Sequence, residues 1–398
     1  MSAIVSSRIV SDIDPFSPEF RADPFTHYAR LRALGPVVWL ERYGIWVVSH
    51  YETVRAVLQD WRIYSNAGGG GLTNYFKTPP WRQPSLILEV DPPAHERTRT
   101  VLMRALSTPA VRGMRPEFER VAQELVRHAL ERGRFDAIPE LVQPFPLTVF
   151  PDAVGLAKEE RETLLIYGAM VFGGFGPSTP WYEDLMQRAP EVSAWIMRHC
   201  RRDALAPGGL GASLYQAADN GELTEDEALL LVRSLLSAGV DTTIDSIGLA
   251  LRCLAENLDQ WRVLREDPRL ARAAFEEATR YDSSSQSLFR TTLDEVELAG
   301  TLLGKHEKVL VLIGSAGRDP AQWPEADRFD IRRQLVGQIG YGAGIHGCVA
   351  QMMARLEGEV FLQTVATLVK DIESDGPSRL RLEPGLRGLS SLPLAMRA

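Results

Sequence analysis

A mainly α fold with small β-sheets is what this sequence predicts, and three observations predict it. Seven stretches carry helical periodicity (92–106, 115–132, 159–171, 181–202, 224–257, 270–281 and 348–369), against one pair of short runs rich in β-branched and aromatic residues. One helical pattern, from Thr224, continues for more than thirty residues, about 45–50 Å at 1.5 Å per residue, long enough to cross a molecule of this size. No repeat of fixed period and no Pro- or Ser/Gly-rich linker divides the 398 residues, so a single domain is expected over 15–398.

Taken in order, residues 1–14 lack the basic and apolar regions of a signal peptide and read as a loose arm, with Asp12 and Asp14 interrupting them. A short helix over 24–33 follows, and then VVWL and GIWVVSH, a strand pair. Between Asn66 and Pro93, four consecutive glycines (Gly68 to Gly71) and five prolines predict a long loop, and long loops in compact domains usually carry function. The 224–257 helix opens with Thr224 and Glu227 in capping-box spacing, which satisfies amides at a helix start. Its apolar pattern places it in the core.

Composition narrows the function. With 45% hydrophobic and 24% charged residues the chain is an ordinary globular one, and a net charge of −8 argues against nucleic acid as the main partner. The apolar run at 164–175 holds three glycines and falls short of the roughly 20 residues a bilayer span needs, so no membrane is expected. Three cysteines, Cys200, Cys253 and Cys348, read as reduced thiols of a cytoplasmic protein.

The segment from Gly340 to Cys348 reads GYGAGIHGC, which admits two readings. Gly342, Gly344 and Gly347 satisfy the bare GxGxxG dinucleotide fingerprint, but the preceding QLVGQI makes a poor strand and only about fifty residues follow, too few for the βαβ context. The alternative centres on Cys348, at the start of a helix whose amides and dipole favour a thiolate. A lone stabilised thiolate suits an axial bond to heme iron.

Tyr341-Gly342-x-Gly344-x-His346-x-Cys348-x-Ala350 resembles the heme-binding loop of cytochromes P450, with Tyr in place of the usual Phe and Ala in place of the final Gly. Glu277 and Arg280, with Arg333 as third member, resemble the family's Glu-x-x-Arg motif. The resemblance implies a structural ion cluster there, heme b (iron protoporphyrin IX) as cofactor, and a long central helix over it. His95, Arg99 and Arg290 match the family's anchors for the heme propionates, while Gln338 stands where a His is common.

Ala238-Gly239-Val240-Asp241-Thr242-Thr243 resembles the family's oxygen-activation stretch. Gly239 is expected to leave room beside the backbone, Asp241 to supply protons, and the Thr242 hydroxyl to bond the carbonyl one turn back. The proton relay argues for an enzyme over a heme-binding sensor. Across nearly the whole chain, PWRQPSLILEVDPPAH, MVFGGFGPS, LAPGGLGAS and LVRSLLSAGVDTT resemble bacterial P450s that oxidise para-substituted benzoates, of the 4-methoxybenzoate O-demethylase type. That implies Arg82, Ser85, Arg233 and Ser234 as holders of a substrate carboxylate, and Leu88, Phe172, Phe175, Ala238 and Leu288 as walls of an apolar slot. It also implies O2 as co-substrate and a 2Fe–2S ferredoxin with an NAD(P)H-dependent reductase. Another P450 substrate class, fatty acid or terpenoid, is the alternative. The run Ser283 to Ser287 departs from the group, lacking its Pro and Val, so a larger and more polar pocket is expected, open to cinnamates or further-substituted rings.

Overall fold

A computed structural model describes residues 8–381 and 385–398, and it is mainly helical with small sheets. The helix Arg115–Arg132 has the predicted limits, and the others shift by a few residues or divide. The stretch 181–202 forms Pro180–Met186 and Ala189–His199, because Thr179 caps a helix start and Pro190 sits in the first turn of the second helix, where its missing N–H costs nothing.

The central helix is interrupted. Glu225–Ala238 and Asp241–Glu256 meet at Gly239 and Val240, where the Thr242 hydroxyl donates to the Ala238 carbonyl at 2.7 Å and the Thr243 hydroxyl to Gly239 at 3.2 Å. Two hydroxyls competing for consecutive carbonyls open the ladder, which corrects the single unbroken helix read from periodicity. The capping box is present, with Thr224 Oγ1 accepting from the Glu227 amide and Glu227 Oε2 from the Thr224 amide. Between Leu230 and Leu236 every residue is buried.

Six strands form the larger sheet in the order Val10–Ser11, Val38–Leu40, Ile45–Val48, Lys308–Val311, Leu288–Thr292 and Tyr64–Ser65. The predicted pair is antiparallel with Trp39 opposite Trp46. Residues 8–14 depart from the expected arm: Val10–Ser11 pairs with Val38–Leu40, and the Arg8 guanidinium lies 4.2 Å from the Trp39 ring centre. The rest of that arm, 1–7, lies outside the described residues. As predicted, 66–93 contains neither helix nor strand. The glycine loop before Cys348 follows turns and not a strand, which removes the dinucleotide reading. No helix among the described residues is long and apolar enough to cross a membrane.

Candidate active site

Backbone geometry makes the cysteine loop. Gly342 and Gly344 have φ of +75° and +70°, and a Cβ on Gly344 would collide with the Leu58 carbonyl. The Cys348 amide donates to the Tyr341 carbonyl at 2.8 Å, closing the loop. Cys348 precedes the Gln351–Leu368 helix by three residues. Burial pushes its thiol up, while the Ala350 amide, Arg99 and Arg355 pull it down. Removal from water outweighs these pulls for the free thiol, and a metal bound at the sulfur would favour the thiolate. Tyr341 stacks on the Arg355 guanidinium at 4.3 Å, and its hydroxyl is buried without a hydrogen-bond partner.

The expected structural cluster is built as read. Glu277 and Arg280 are fully buried and share two 2.7 Å contacts, and Arg333 joins Glu277 at 3.2 Å. Arg280 also donates to the carbonyls of Gly317 and Ala326, and Arg333 to Pro324 and Glu325. These bonds tie the segment leading to the cysteine loop onto the Ala271–Tyr281 helix. Gln338 accepts from the Gly340 amide at 3.0 Å and so braces the loop.

Facing the loop is a set of buried nitrogen groups short of partners. His95 is 1% exposed, both its ring nitrogens lack a hydrogen-bond partner, and burial lowers its pKa to about 4. Its ring lies 4.3 Å from that of His346, which pairs with Asp91 at 3.3 Å. Arg290 is buried, among the described residues it hydrogen-bonds only the Phe289 carbonyl, and desolvation lowers it to about 10. Arg99 donates to the Gly347 carbonyl at 2.8 Å. Buried donors without acceptors are costly, and an anionic group beside the sulfur would satisfy them. The residues fit heme b: Cys348 would take the iron, with His95, Arg99 and Arg290 toward the propionates.

On the central axis, Ala238 is exposed although residues Leu230 to Leu236 before it are buried, so it borders open space. Asp241 is 7% exposed; burial, then the neighbouring Asp245 carboxylate, push its carboxyl up to about 8, with Arg381 opposing. Its carboxylate lies against Gly168, where any Cβ would overlap it. A cavity of about 280 Å³ reaches Asp241, lined also by Gln143, Phe172, Arg381 and Ser390, with the exposed Trp181 at its edge. The missing side chain of Gly239 does not leave room for a small ligand as expected: the Phe150 ring occupies that place, so the glycine serves helix packing.

At the other end, the Ser85 and Ser234 hydroxyls meet at 2.9 Å. Arg233 is 4% exposed and donates to the carbonyls of Gln83 and Pro84 at 2.8 and 3.4 Å, with no carboxylate in ion-pair distance among the described residues. Arg82 is paired to Glu89 at 3.0 Å, a partner the sequence reading did not name. Leu88 and Phe175 converge on Gly70, and Phe172 stacks edge-on against Phe175 at 5.6 Å. Leu288 is partly buried and packs against the core cluster that contains Trp46 and Val311. Within the serine run, Ser284 bonds Ser246 at 2.9 Å and Gln286 accepts from Tyr28 at 2.6 Å. Lys308, also unnamed by the sequence, donates to the carbonyls of Gly68 and Gly69 at 3.1 and 2.8 Å and pins the long loop.

A cysteine on a glycine-shaped loop, in a chain whose central helix is broken at an acid and an alcohol, is the arrangement of a heme-thiolate protein. The chain belongs to the cytochrome P450 family, and it is a P450 monooxygenase with heme b as cofactor. The model of that family, cytochrome P450, matches residues 198–367. The chain is 48% identical over 385 residues to cytochrome P450 CYP199A2 of Rhodopseudomonas palustris, covering 96% of this chain and 93% of that one. It is 32% identical over 401 residues to the monooxygenase PikC of Streptomyces venezuelae, covering 98% and 94%. Among solved structures, CYP109Q5 from Chondromyces apiculatus superposes with a TM-score of 0.83 at 30% identity, covering 97% and 98%. The P450 CREJ, solved in complex with (4-ethylphenyl) dihydrogen phosphate, gives 0.87 at 25% identity, covering 96% and 99%.

Proposed function

We propose that this enzyme oxidises the para substituent of an aromatic carboxylic acid of benzoate or cinnamate type, removing the methyl group where the substituent is methoxy. The observation that carries the reading is Arg233, a buried guanidinium that has carbonyl partners but no carboxylate, beside the paired hydroxyls of Ser85 and Ser234. A substrate carboxylate is the partner that site lacks. Ser234 and Thr242 lie eight residues apart on either side of the helix break, with room for one aromatic ring between an acid-holding end and a reacting end. Leu88 and Phe175 supply apolar contact for that ring, with Ala238 beside the reacting end. CREJ, solved with a para-substituted aryl phosphate, supports a para-substituted ring as the reacting part of the ligand.

Heme b, when bound, supplies the oxygen-activating iron. Monooxygenation uses two electrons and two protons and releases one oxygen atom as water, so protons must cross the protein. Asp241, held neutral near pH 7, stores a proton at its carboxyl, and the cavity with Gln143 and Ser390 gives water a route to it. Thr242 can turn its hydroxyl from the Ala238 carbonyl toward the pocket to pass that proton on. A hydroxylated methoxy group is a hemiacetal, whose C–O bond breaks to give phenol and formaldehyde. Electrons come from a 2Fe–2S ferredoxin and its NAD(P)H-dependent reductase, docking on the Cys348 side where the exposed Arg328 and Arg332 offer positive charge.

Titrating the purified holoenzyme with 4-methoxybenzoate is expected to shift the ferric iron to high spin, and turnover to release formaldehyde and phenol in equal amounts. A panel in which fatty acids or terpenoids shift the spectrum and aromatic acids do not would overturn the proposal.

A further inference from the structure

The acid-binding end of the pocket already contains a carboxylate. Glu89 closes the apolar run Leu86-Ile87-Leu88, and its side chain is 1% exposed. Its Oε1 accepts from Arg82 at 3.2 Å and from the Tyr75 hydroxyl at 3.1 Å, and its Oε2 accepts from the Ser85 amide at 2.8 Å. Four donors from three residues hold it, counting the second Arg82 contact at 3.0 Å. Arg82 spends one further N–H on the Gln83 carbonyl at 3.0 Å, and a guanidinium has five, so it keeps donors for a ligand while its charge is cancelled.

Counting charge at this junction gives two guanidinium groups, Arg82 and Arg233, and one carboxylate, Glu89. The other titratable neighbours of Arg233 stay neutral, since burial pushes the Cys200 thiol up to about 12 and raises Tyr167 as well. The sum is one positive charge. Charges buried without a counter-charge are penalised steeply. A monocarboxylate brings the sum to zero, a neutral ester leaves the positive charge unpaired, and a dianion leaves a negative one.

We infer that Glu89 selects the substrate's charge: by neutralising Arg82 it restricts the anchored end to groups carrying one negative charge. The inference rests on the aromatic-acid reading and refines it, since without Glu89 the same arginines would favour a doubly charged head group such as a phosphate monoester. Glu89 is a positioning residue as well, because the Ser85 amide and the Gln83 to Ser85 turn are held through it.

The test uses ferric holoenzyme and Glu89→Gln, titrated near pH 8 with 4-methoxybenzoate, its methyl ester and 4-methoxyphenyl phosphate, which is a dianion there because its second ionisation lies near 6. Spin-state shifts give each dissociation constant. The parent is expected to favour the carboxylate, and Glu89→Gln to move the phosphate-to-carboxylate affinity ratio at least tenfold toward phosphate. An unchanged ratio overturns the inference and leaves the aromatic-acid reading standing. If no carboxylate shifts the parent spectrum, that reading falls and takes the inference with it. Should Glu89→Gln fail to incorporate heme, Arg82→Gln brings the sum to zero, and the methyl ester should then gain at least tenfold on the acid; no gain refutes charge selection.

Discussion

Replacing Asp241 by Asn separates two roles of one carboxyl. Its pKa in the folded protein is about 8, raised by burial and by Asp245, against an ordinary value of 3.8. Below pH 3.8 both folded and unfolded chains hold the proton. As pH rises from there toward 8, only the folded chain keeps it, so the parent loses stability across that window. The loss is about 1.4 kcal/mol per pH unit, on the order of 4 kcal/mol by neutral pH. Asn carries no charge to lose, so the variant should match the parent near pH 4 and become progressively more stable than it toward pH 7. Urea midpoints of the two holoproteins across that range read the difference directly. Turnover should move the other way, falling about 10²–10⁴-fold for want of a proton donor, with the substrate-induced spin shift retained. A stability gap that does not change with pH would refute the neutral carboxyl, and undiminished turnover would refute the relay.

Gly168→Ala places a methyl group on the Asp241 carboxylate, so turnover should drop while acid binding persists; a fully active variant would show that the carboxyl position is unimportant. Glu277→Gln leaves Arg280 and Arg333 without their shared counter-charge and should cost about 3–5 kcal/mol, seen as a lower urea midpoint and easier heme loss. Arg233→Gln removes the buried cation at the acid end and should weaken 4-methoxybenzoate binding about 10–100-fold, the equivalent of about 1.5–3 kcal/mol, with binding of the methyl ester not weakened.

What could be read ahead of the structure was what residue type and spacing encode together. Cys348 with its glycines is a local pattern, whereas Glu277 with Arg280 is a common helix pair that only its order relative to Cys348 singles out, and that pair is buried with Arg333 as one ion cluster. The helix interruption was hidden because periodicity records side-chain polarity, whereas the break comes from Thr242 and Thr243 hydroxyls taking carbonyls. Glu89 was passed over because one acid in an apolar run looks like a solvent-facing position, and Arg82 and Tyr75, which bury it, come from elsewhere in the loop. Gly168 and Gly239 were illegible for a related reason: Asp241 and Phe150, which forbid a side chain there, belong to other helices. Fold class depends on patterns along the chain, but the partners of buried charges depend on which segments meet.

The interruption at Gly239 and Val240 also partitions inheritance. Arg233 and Ser234, to which the proposal assigns the ligand's acid, ride on the segment ending at Ala238, and Asp241 and Thr242, to which it assigns the proton, ride on the one beginning at Asp241. With no unbroken ladder between them, a substitution that tilts or slides the gripping segment need not drag the pair out of register. Diversification of ligand choice can therefore proceed on one side of a two-residue joint while the chemistry on the other side is kept.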